Sequence, residues 1–161
     1  MTSNEKISLA EEIFSKAFQF QADGEIDEAI RQYSISIDIY PTAKAHTYLG
    51  EAYSIKGKYS EAIEECKKAI KIDPAYGCPY NDIGNYLISL GEENKAIIWF
   101  EKAIRSYNYA AKHFPFYSLG KIYENKGEWF EALKHYNRAL IYNPDYDPAQ
   151  NAVIRLATLL N

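Results

Sequence analysis

Three histidines and two cysteines are among the residues of this chain whose side chains could bind a metal ion or serve as nucleophile and base. A metal or catalytic site needs such groups at short spacings or in a recognised motif. His46, His113 and His135 lie far apart, and none stands beside a cysteine or a pair of carboxylates at ligand spacing. Glu131 precedes His135 by four residues, but such pairs are usually surface contacts. With no HExxH, P-loop or Gly-x-Ser-x-Gly pattern either, we expect no enzyme, no metal and no cofactor.

Composition argues against two further classes of function. The 18 basic and 22 acidic residues give a net charge of -4, and no basic run is present that would neutralise phosphates, so we expect no nucleic-acid partner. The first dozen residues lack a basic leader followed by an apolar core, and no stretch of about 18 apolar residues occurs. We therefore expect no membrane partner and a cytoplasmic location. Cys66 and Cys78 are too few for a disulfide framework and should be reduced thiols.

The stretch 43–76 predicts two helices and two turns. Leu49, Gly50 and Tyr53 share one face of a first helix, which Gly57 should end in a left-handed conformation. Pro74 cannot continue a helix and should close the unit. The second helix carries a buried stripe in which small residues permit close approach. Its members are Ala62, Ile63, Cys66, Ala69 and Ile70.

The same pattern recurs along the chain. The predicted turn glycines, Gly24, Gly57, Gly91 and Gly127, are separated by 33, 34 and 36 residues. A set of alanines shows the same three separations: Ala29, Ala62, Ala96 and Ala132. Regular self-similarity at this period indicates stacked helix pairs, so the sequence predicts four repeats.

These residues resemble the tetratricopeptide repeat family, whose pattern is W-x2-L-G-x2-Y, then A-x3-F, then P, with a period of about 34 residues. The resemblance covers nearly the whole chain and implies one all-α domain, 1–161, built as a right-handed superhelical solenoid of stacked antiparallel helix pairs. The expected units are a degenerate repeat one at 10–42, repeat two at 43–76, repeat three at 77–112 with two extra residues, repeat four at 113–146, and a capping helix at 147–161.

The two ends of the stack should depart from the pattern. In repeat one, Lys16 and Ala17 occupy the leucine and glycine positions. Residues 1–5 are polar and expected to fray, with the first helix running roughly from Lys6 to Asp23. The capping helix, about 148–160, should cover the open end of the stack with an apolar stripe. That stripe is Val153, Ile154, Leu156, Ala157 and Leu160.

The resemblance implies that the first helix of each pair lines a concave groove. Positions three before, one after and four after each glycine position should face it, and the capping helix should add two residues. They are Phe14, Phe18, Gln21, Thr47, Glu51, Ser54, Asn81, Asn85, Ile88, Tyr117, Lys121, Glu124, Asn151 and Arg155. Asn85, Lys121 and Arg155 should align in one row. For Phe14 and Phe18 a place in the core is an equal alternative, because the degenerate first helix could be rotated.

We therefore expect a non-catalytic scaffold that binds a peptide or a partner protein in the concave groove. The row of donors favours an extended segment with a carboxylate near Lys121 or Arg155. A second surface on the irregular connector, 105–118, is the rival site, unless its rings pack under the turn. It comprises Tyr107, Tyr109, His113 and Phe114. The alternative function is self-assembly into a homo-oligomer through the end helices or this connector. A regulatory module of an enzyme is less favoured.

One ligand class of the family is disfavoured by the residues present. The resemblance would suggest a clamp of lysine, asparagine and arginine that holds the acidic C-terminal tails of chaperones. In the corresponding positions this chain has Phe14, Phe18 and Tyr48, or Thr47, Glu51 and Asp82 when the register starts one repeat later. Glu51 and Asp82 would repel a carboxylate, so acidic chaperone tails are not the expected ligand.

Overall fold

A computed structural model describes residues 1–160 and confirms the predicted all-helical fold. Within that range the chain forms nine α-helices. They are α1 (Ser3–Ala22), α2 (Ile26–Ile39), α3 (Ala43–Ile55), α4 (Tyr59–Ile72), α5 (Cys78–Ser89), α6 (Glu93–Arg105), α7 (His113–Asn125), α8 (Trp129–Tyr142) and α9 (Asp147–Leu160). Each odd-numbered helix up to α7 packs chiefly on the helix that follows it, and these pairs stack in chain order. The result is a superhelical solenoid.

A glycine ends the first helix of every pair. Gly24, Gly57, Gly91 and Gly127 have φ between +73° and +83°, a left-handed conformation that only glycine adopts without steric cost. The amide of the residue after Gly57 donates back to the carbonyl of Tyr53, and the same contact follows the other three glycines. This closes the helix end and reverses the chain, which fixes the antiparallel pairing predicted from the spacing.

Glycines inside the first helices allow large rings of the second helices to approach. A Cβ added to Gly84 would lie 2.5 Å from Cε1 of Phe100, and one added to Gly120 would lie 2.5 Å from Cε1 of Tyr136. Both rings are buried in the clusters that join neighbouring pairs. Buried contacts therefore connect neighbouring helix pairs, as expected when repeats stack.

The amino terminus differs from the prediction. Residues 3–5 are helical, not frayed, because Thr2 caps α1. The amide of Glu5 donates to Oγ1 of Thr2 at 3.3 Å, while the amide of Thr2 donates to Oε2 of Glu5 at 2.8 Å. This reciprocal capping box gives hydrogen-bond acceptors to two backbone N–H groups that have no partner within the helix.

The capping helix also differs in its contact face. Ala149, Ala152 and Leu156 are buried and Val153 packs beside them, whereas Ile154 is 66% exposed. Leu156 and Val153 are confirmed as part of the covering stripe, but the prediction for Ile154 is wrong. Ile154 stands one repeat period after Gly120, so it occupies the position that would face a second helix of the same pair. Among residues 1–160 no helix covers that face.

The irregular connector between α6 and α7 is hydrogen-bonded to the turn between α4 and α5. The amide of Asn108 donates to the carbonyl of Ala75, and the amide of Gly77 donates to the carbonyl of Asn108, each at 3.1 Å. Tyr109 is buried against Gly77, where an added Cβ would lie 2.2 Å from that of Tyr109. Tyr107, two residues earlier, is 97% exposed.

Candidate functional site

The residues predicted to line the groove differ in exposure. Thr47 and Asn81 are buried, and a second set is half-buried: Phe14, Gln21, Ser54, Ile88, Tyr117 and Glu124. The exposed members are Phe18, Glu51, Asn85, Lys121, Asn151 and Arg155. The predicted lining of the groove is therefore not one uniform surface.

A depression of about 540 Å³ between α5 and α7 brings five of the predicted groove residues together. They are Asn81, Asn85, Ile88, Tyr117 and Lys121. Ser89, Ser118, Phe114 and Tyr146 complete the lining. Phe114, which the sequence placed on the rival connector surface, thus lies in the same depression as the groove residues.

Polar groups of the depression have unused hydrogen-bonding capacity. Asn81 is only 7% exposed, and its Oδ1 has no hydrogen-bond partner within the described chain. That oxygen is itself buried, so the groups open to a ligand lie at the rim of the depression. Asn85 and Lys121 are exposed beside it, and Nζ of Lys121 lies 6.0 Å from the Tyr117 ring centroid. The depression can therefore donate and accept hydrogen bonds through Asn85 and donate them from Lys121 at its rim.

An aromatic wall forms the side of the depression nearest the connector. The Tyr146 ring meets the Phe114 and Tyr117 rings edge-on, with centroids 5.7 and 5.4 Å apart. His113 packs on Phe114 at 4.1 Å, and burial lowers the pKa of His113. These contacts order the rings, so a ligand that packs on them would immobilise little further side chain.

Arg155 does not present a free guanidinium, contrary to the predicted row of donors. Its Nη1 forms an ion pair with Oε1 of Glu124, and its Nη2 donates to Oε2 at 3.0 Å. The Tyr136 hydroxyl donates to the same Oε2 at 2.7 Å. These bonds lower the pKa of Glu124. The pair ties α9 to α7 and uses part of the guanidinium, while the Arg155 side chain stays 52% exposed.

The first helix separates its two phenylalanines. Phe14 is half-buried and packs on Tyr33 and Tyr48, with ring centroids 5.4 and 5.3 Å away. Phe18 is 49% exposed and touches the edge of Tyr48 at 5.7 Å. Of the two alternatives, Phe14 therefore takes the core position at the edge of the aromatic cluster, while Phe18 stays on the surface.

Two carboxyl groups lie close together between α3 and α5. Burial, with a smaller effect from Glu51, raises the pKa of Asp82 to about 7. The pKa of Glu51 is raised as well, because neighbouring atoms partly desolvate its carboxyl group although the residue as a whole is exposed; a hydrogen bond from Gln21 opposes the rise. This part of the first-helix surface is thus acidic, whereas the depression beyond α5 offers amide and ammonium donors.

Sequence reasoning missed several lining residues and misplaced others. Ser89, Ser118 and Tyr146 line the depression without having been predicted; Tyr146 follows Pro144 at the far end of α8, where the resemblance pointed only to a turn. Tyr109 was predicted as surface and is buried. Spacing on one helix shows which residues share its face, but it does not show which loop residues fold over that face.

No helix among residues 1–160 is both long enough and apolar enough to cross a membrane. No cluster of three or more His, Cys, Asp or Glu residues is arranged to hold a metal ion in that range.

Comparison with family models gives three matches, all described as tetratricopeptide repeat. They cover residues 43–76, 79–108 and 113–146. The first and third coincide with the predicted repeats two and four.

Similar curated proteins are longer than this chain. A small glutamine-rich tetratricopeptide repeat-containing protein 2 of Mycosarcoma maydis is 27% identical over 63% of this chain and 29% of its own length. A tetratricopeptide repeat and J domain-containing co-chaperone of Cryptococcus neoformans is 24% identical over 96% of this chain and 31% of its own. Anaphase-promoting complex subunit 3 of Schizosaccharomyces pombe is 30% identical over 60% of this chain and 14% of its own length. The chain thus spans less than a third of each of these relatives.

Similar solved structures share the solenoid. The pilF protein of Pseudomonas aeruginosa superposes with a TM-score of 0.86 at 18% identity, covering 94% of this chain and 69% of that one. MamA gives a TM-score of 0.73 at 24% identity, covering 87% of this chain and 81% of that one. At these identities the likeness concerns the fold alone.

Proposed function

The chain belongs to the tetratricopeptide repeat family, whose repeats build protein-interaction scaffolds, and from that premise we propose that the depression between α5 and α7 binds an extended segment of a partner protein. The observation that carries this proposal is the exposed pair Asn85 and Lys121 beside the rings of Phe114, Tyr117 and Tyr146. An extended backbone supplies N–H and C=O groups for the amide of Asn85, and a carboxylate on the segment would meet Lys121.

The aromatic wall adds a requirement on the ligand. Phe114, Tyr117 and Tyr146 offer apolar ring surface next to the polar groups. A segment with one apolar side chain between its N–H donor and its carboxylate would satisfy both halves of the depression. Binding of this kind needs no chemistry from the scaffold.

The relatives support the general class of function. Their names include a co-chaperone and subunits of the anaphase-promoting complex, and both terms describe proteins that act with other proteins. Because the chain covers only a small part of each, their particular partners do not carry over. The partner of this chain is proposed only by its chemistry.

Site-specific photocrosslinking tests the proposal. A photoreactive phenylalanine at Ser118, inside the depression, should crosslink a partner in extracts of the native source. The same group at Ser60, an exposed site on α4, is the matched control. The partner from Ser118 should be lost in an Asn85→Ala and Lys121→Ala background. A partner captured equally well from Ser60, or retained in that background, would place binding elsewhere.

Self-assembly is a second candidate function, favoured by the exposed apolar residues of α9. Ile154 and Leu159 are 66% and 64% exposed on the last helix. Sedimentation over a concentration series separates the two candidates. A mass that grows with concentration, and that Ile154→Asp abolishes, supports self-assembly; a constant monomer mass removes it.

A further inference from the structure

The surface of repeat three that faces away from the depression differs from the same surface of repeat two. In repeat two, Lys68 donates to Oε1 of Glu65 at 2.6 Å. One repeat period later along the chain, Trp99 stands in place of Glu65 and Lys102 in place of Lys68. Nζ of Lys102 accordingly lies 4.6 Å above the Trp99 ring, where its counterpart has a carboxylate. The repeat has thus kept the cation and replaced its carboxylate partner with a ring.

The connector adds a second ring at the same place. Tyr107 stands one repeat period after Asp73, whose side chain in repeat two accepts a hydrogen bond from the amide of Ala75. Tyr107 cannot make that turn bond, and its side chain is 97% exposed. Asn108 is held by backbone hydrogen bonds, and Tyr109 is held by its burial against Gly77. These two residues therefore fix the position of Tyr107, which precedes them.

These residues frame a cleft of about 620 Å³ on the outside of the solenoid, which we call the Trp99 cleft. Its wall consists of Tyr80, Trp99, Tyr107, Ile70 and Pro74, and its charged lining residues are Lys102 and Arg105. The Tyr80 and Trp99 rings lie 6.2 Å apart and are tilted by 34°. Arg105 is bound to Glu101 through Nη2 at 3.1 Å, which leaves Lys102 as the cation facing the rings.

We propose that the Trp99 cleft is a second binding site, separate from the depression, for an acidic, proline-containing segment of a partner protein in the extended polyproline conformation. Clefts that read such segments are lined by aromatic rings and gain affinity because the ligand is already extended. Of the two charged residues that line this cleft, Arg105 is paired with Glu101 and Lys102 faces the rings, so the group that complements the cleft is a carboxylate at Lys102. A carboxylate at Lys102 would restore the pairing that Lys68 has with Glu65.

The two tryptophans of the chain provide a direct test. In a Trp129→Phe variant, Trp99 is the sole tryptophan and reports on the cleft. The probe is a synthetic polyproline peptide flanked at both ends by paired aspartates. We expect a saturable change in Trp99 fluorescence at peptide concentrations below about 1 mM, the weak limit of specific recognition. Lys102→Glu and Tyr107→Ala should each weaken binding about tenfold, as truncated interface anchors do.

Matched controls make the outcome decisive. Arg138→Glu changes the net charge equally at the same position of repeat four and should leave affinity unchanged, as should Asn85→Ala with Lys121→Ala in the depression. Three results would each overturn the proposal: no saturable change in Trp99 fluorescence, equal binding of a peptide with lysines in place of the aspartates, or equal loss in the Arg138→Glu control. Tighter binding by an acidic helical peptide without proline would also overturn it.

Discussion

His46 of α3 and Glu65 of α4 are joined by a 2.6 Å hydrogen bond between Nδ1 and Oε2 inside the second helix pair, and both residues are buried. Nζ of Lys68 donates to the other carboxylate oxygen at 2.6 Å. The equivalent positions of the next two pairs hold ring pairs, Tyr80 with Trp99 and Phe116 with His135. Repeat two therefore closes the same helix junction with a polar network that its neighbours close with aromatic rings.

Removing the carboxylate should destabilise the protein. Glu65→Ala leaves His46 without its partner in a buried site, and we expect the free energy of unfolding to fall by about 1–3 kcal/mol. Glu64→Ala, an exposed change on the same helix, is the control and should have little effect. Urea denaturation measures both. A Glu65→Ala protein as stable as its control would show that the network contributes nothing.

The same network predicts a dependence on acid. Burial acts to raise the pKa of Glu65, but the hydrogen bonds with His46 and Lys68 outweigh it and hold the pKa below its usual value of 4.5. A lowered pKa stabilises the fold above the unfolded value and loses that contribution as the pH falls below about 4.5. The stability difference between the native protein and Glu65→Gln should therefore shrink as the pH drops through this range in thermal melts. A difference that stays constant would contradict the assignment.

Asp82 should act in the opposite sense. Burial, with a smaller effect from Glu51, raises its pKa from 3.8 to about 7, so the folded protein binds a proton that the unfolded chain has released. Stability should fall as the pH rises between these two values. The asparagine of Asp82→Asn cannot ionise, so the melting temperature of this variant should rise relative to that of the native protein from pH 4 to pH 7. Asp38→Asn, an exposed control, should show no such trend.

Overpacking should show whether the close approach at Gly84 matters. Gly84→Ala places a Cβ about 2.5 Å from the Phe100 ring, and we expect a cost of about 1–3 kcal/mol in the free energy of unfolding. The smaller side chain of Phe100→Leu should relieve the clash, so Gly84→Ala should cost less in that background. Equal costs in both backgrounds, measured by urea denaturation, would mean that the ring is not the obstacle.

The depression and the Trp99 cleft should respond to different substitutions. Once a partner of the depression is in hand, Asn85→Ala with Lys121→Ala should weaken it by about 1–3 kcal/mol, the range for lost hydrogen bonds to charged groups. Tyr107→Ala should leave that affinity unchanged. Tyr109 is unsuitable as a control, because it is buried against Gly77 and its loss would disturb the connector. Calorimetric titration gives both affinities, and the reverse pattern would exclude the depression.

Arg155 should affect stability more than binding. Its ion pair with Glu124 ties α9 to α7, so Arg155→Ala should lower the free energy of unfolding by about 1 kcal/mol or less, as expected for a pair near the surface. Affinity for a partner of the depression should not change. A loss of affinity without a loss of stability would return Arg155 to the predicted row of donors.

The helix pairs and their order can be predicted from local signals in the sequence. Glycines with a left-handed conformation and alanines at fixed separations are local requirements of a turn and of a close helix contact, so their spacing predicts both. The three matched repeats and the nine helices of residues 1–160 confirm the family and the all-helical solenoid. Thr2, which caps α1, was the local signal at the amino terminus that the prediction passed over.

Which surfaces are open depends on long-range contacts that the sequence pattern does not show. Sequence spacing assigns a residue to a helix face. It cannot show that Glu124 forms an ion pair with Arg155, or that Oδ1 of Asn81 has no hydrogen-bond partner within the described chain. Those facts depend on contacts between residues that are distant in the chain. Likewise, the connector could be recognised as irregular, yet its fastening to Ala75 and Gly77 decides that Tyr109 is buried while Tyr107 is exposed. Long-range packing, which leaves no periodic trace in the sequence, sets the chemistry of the candidate sites.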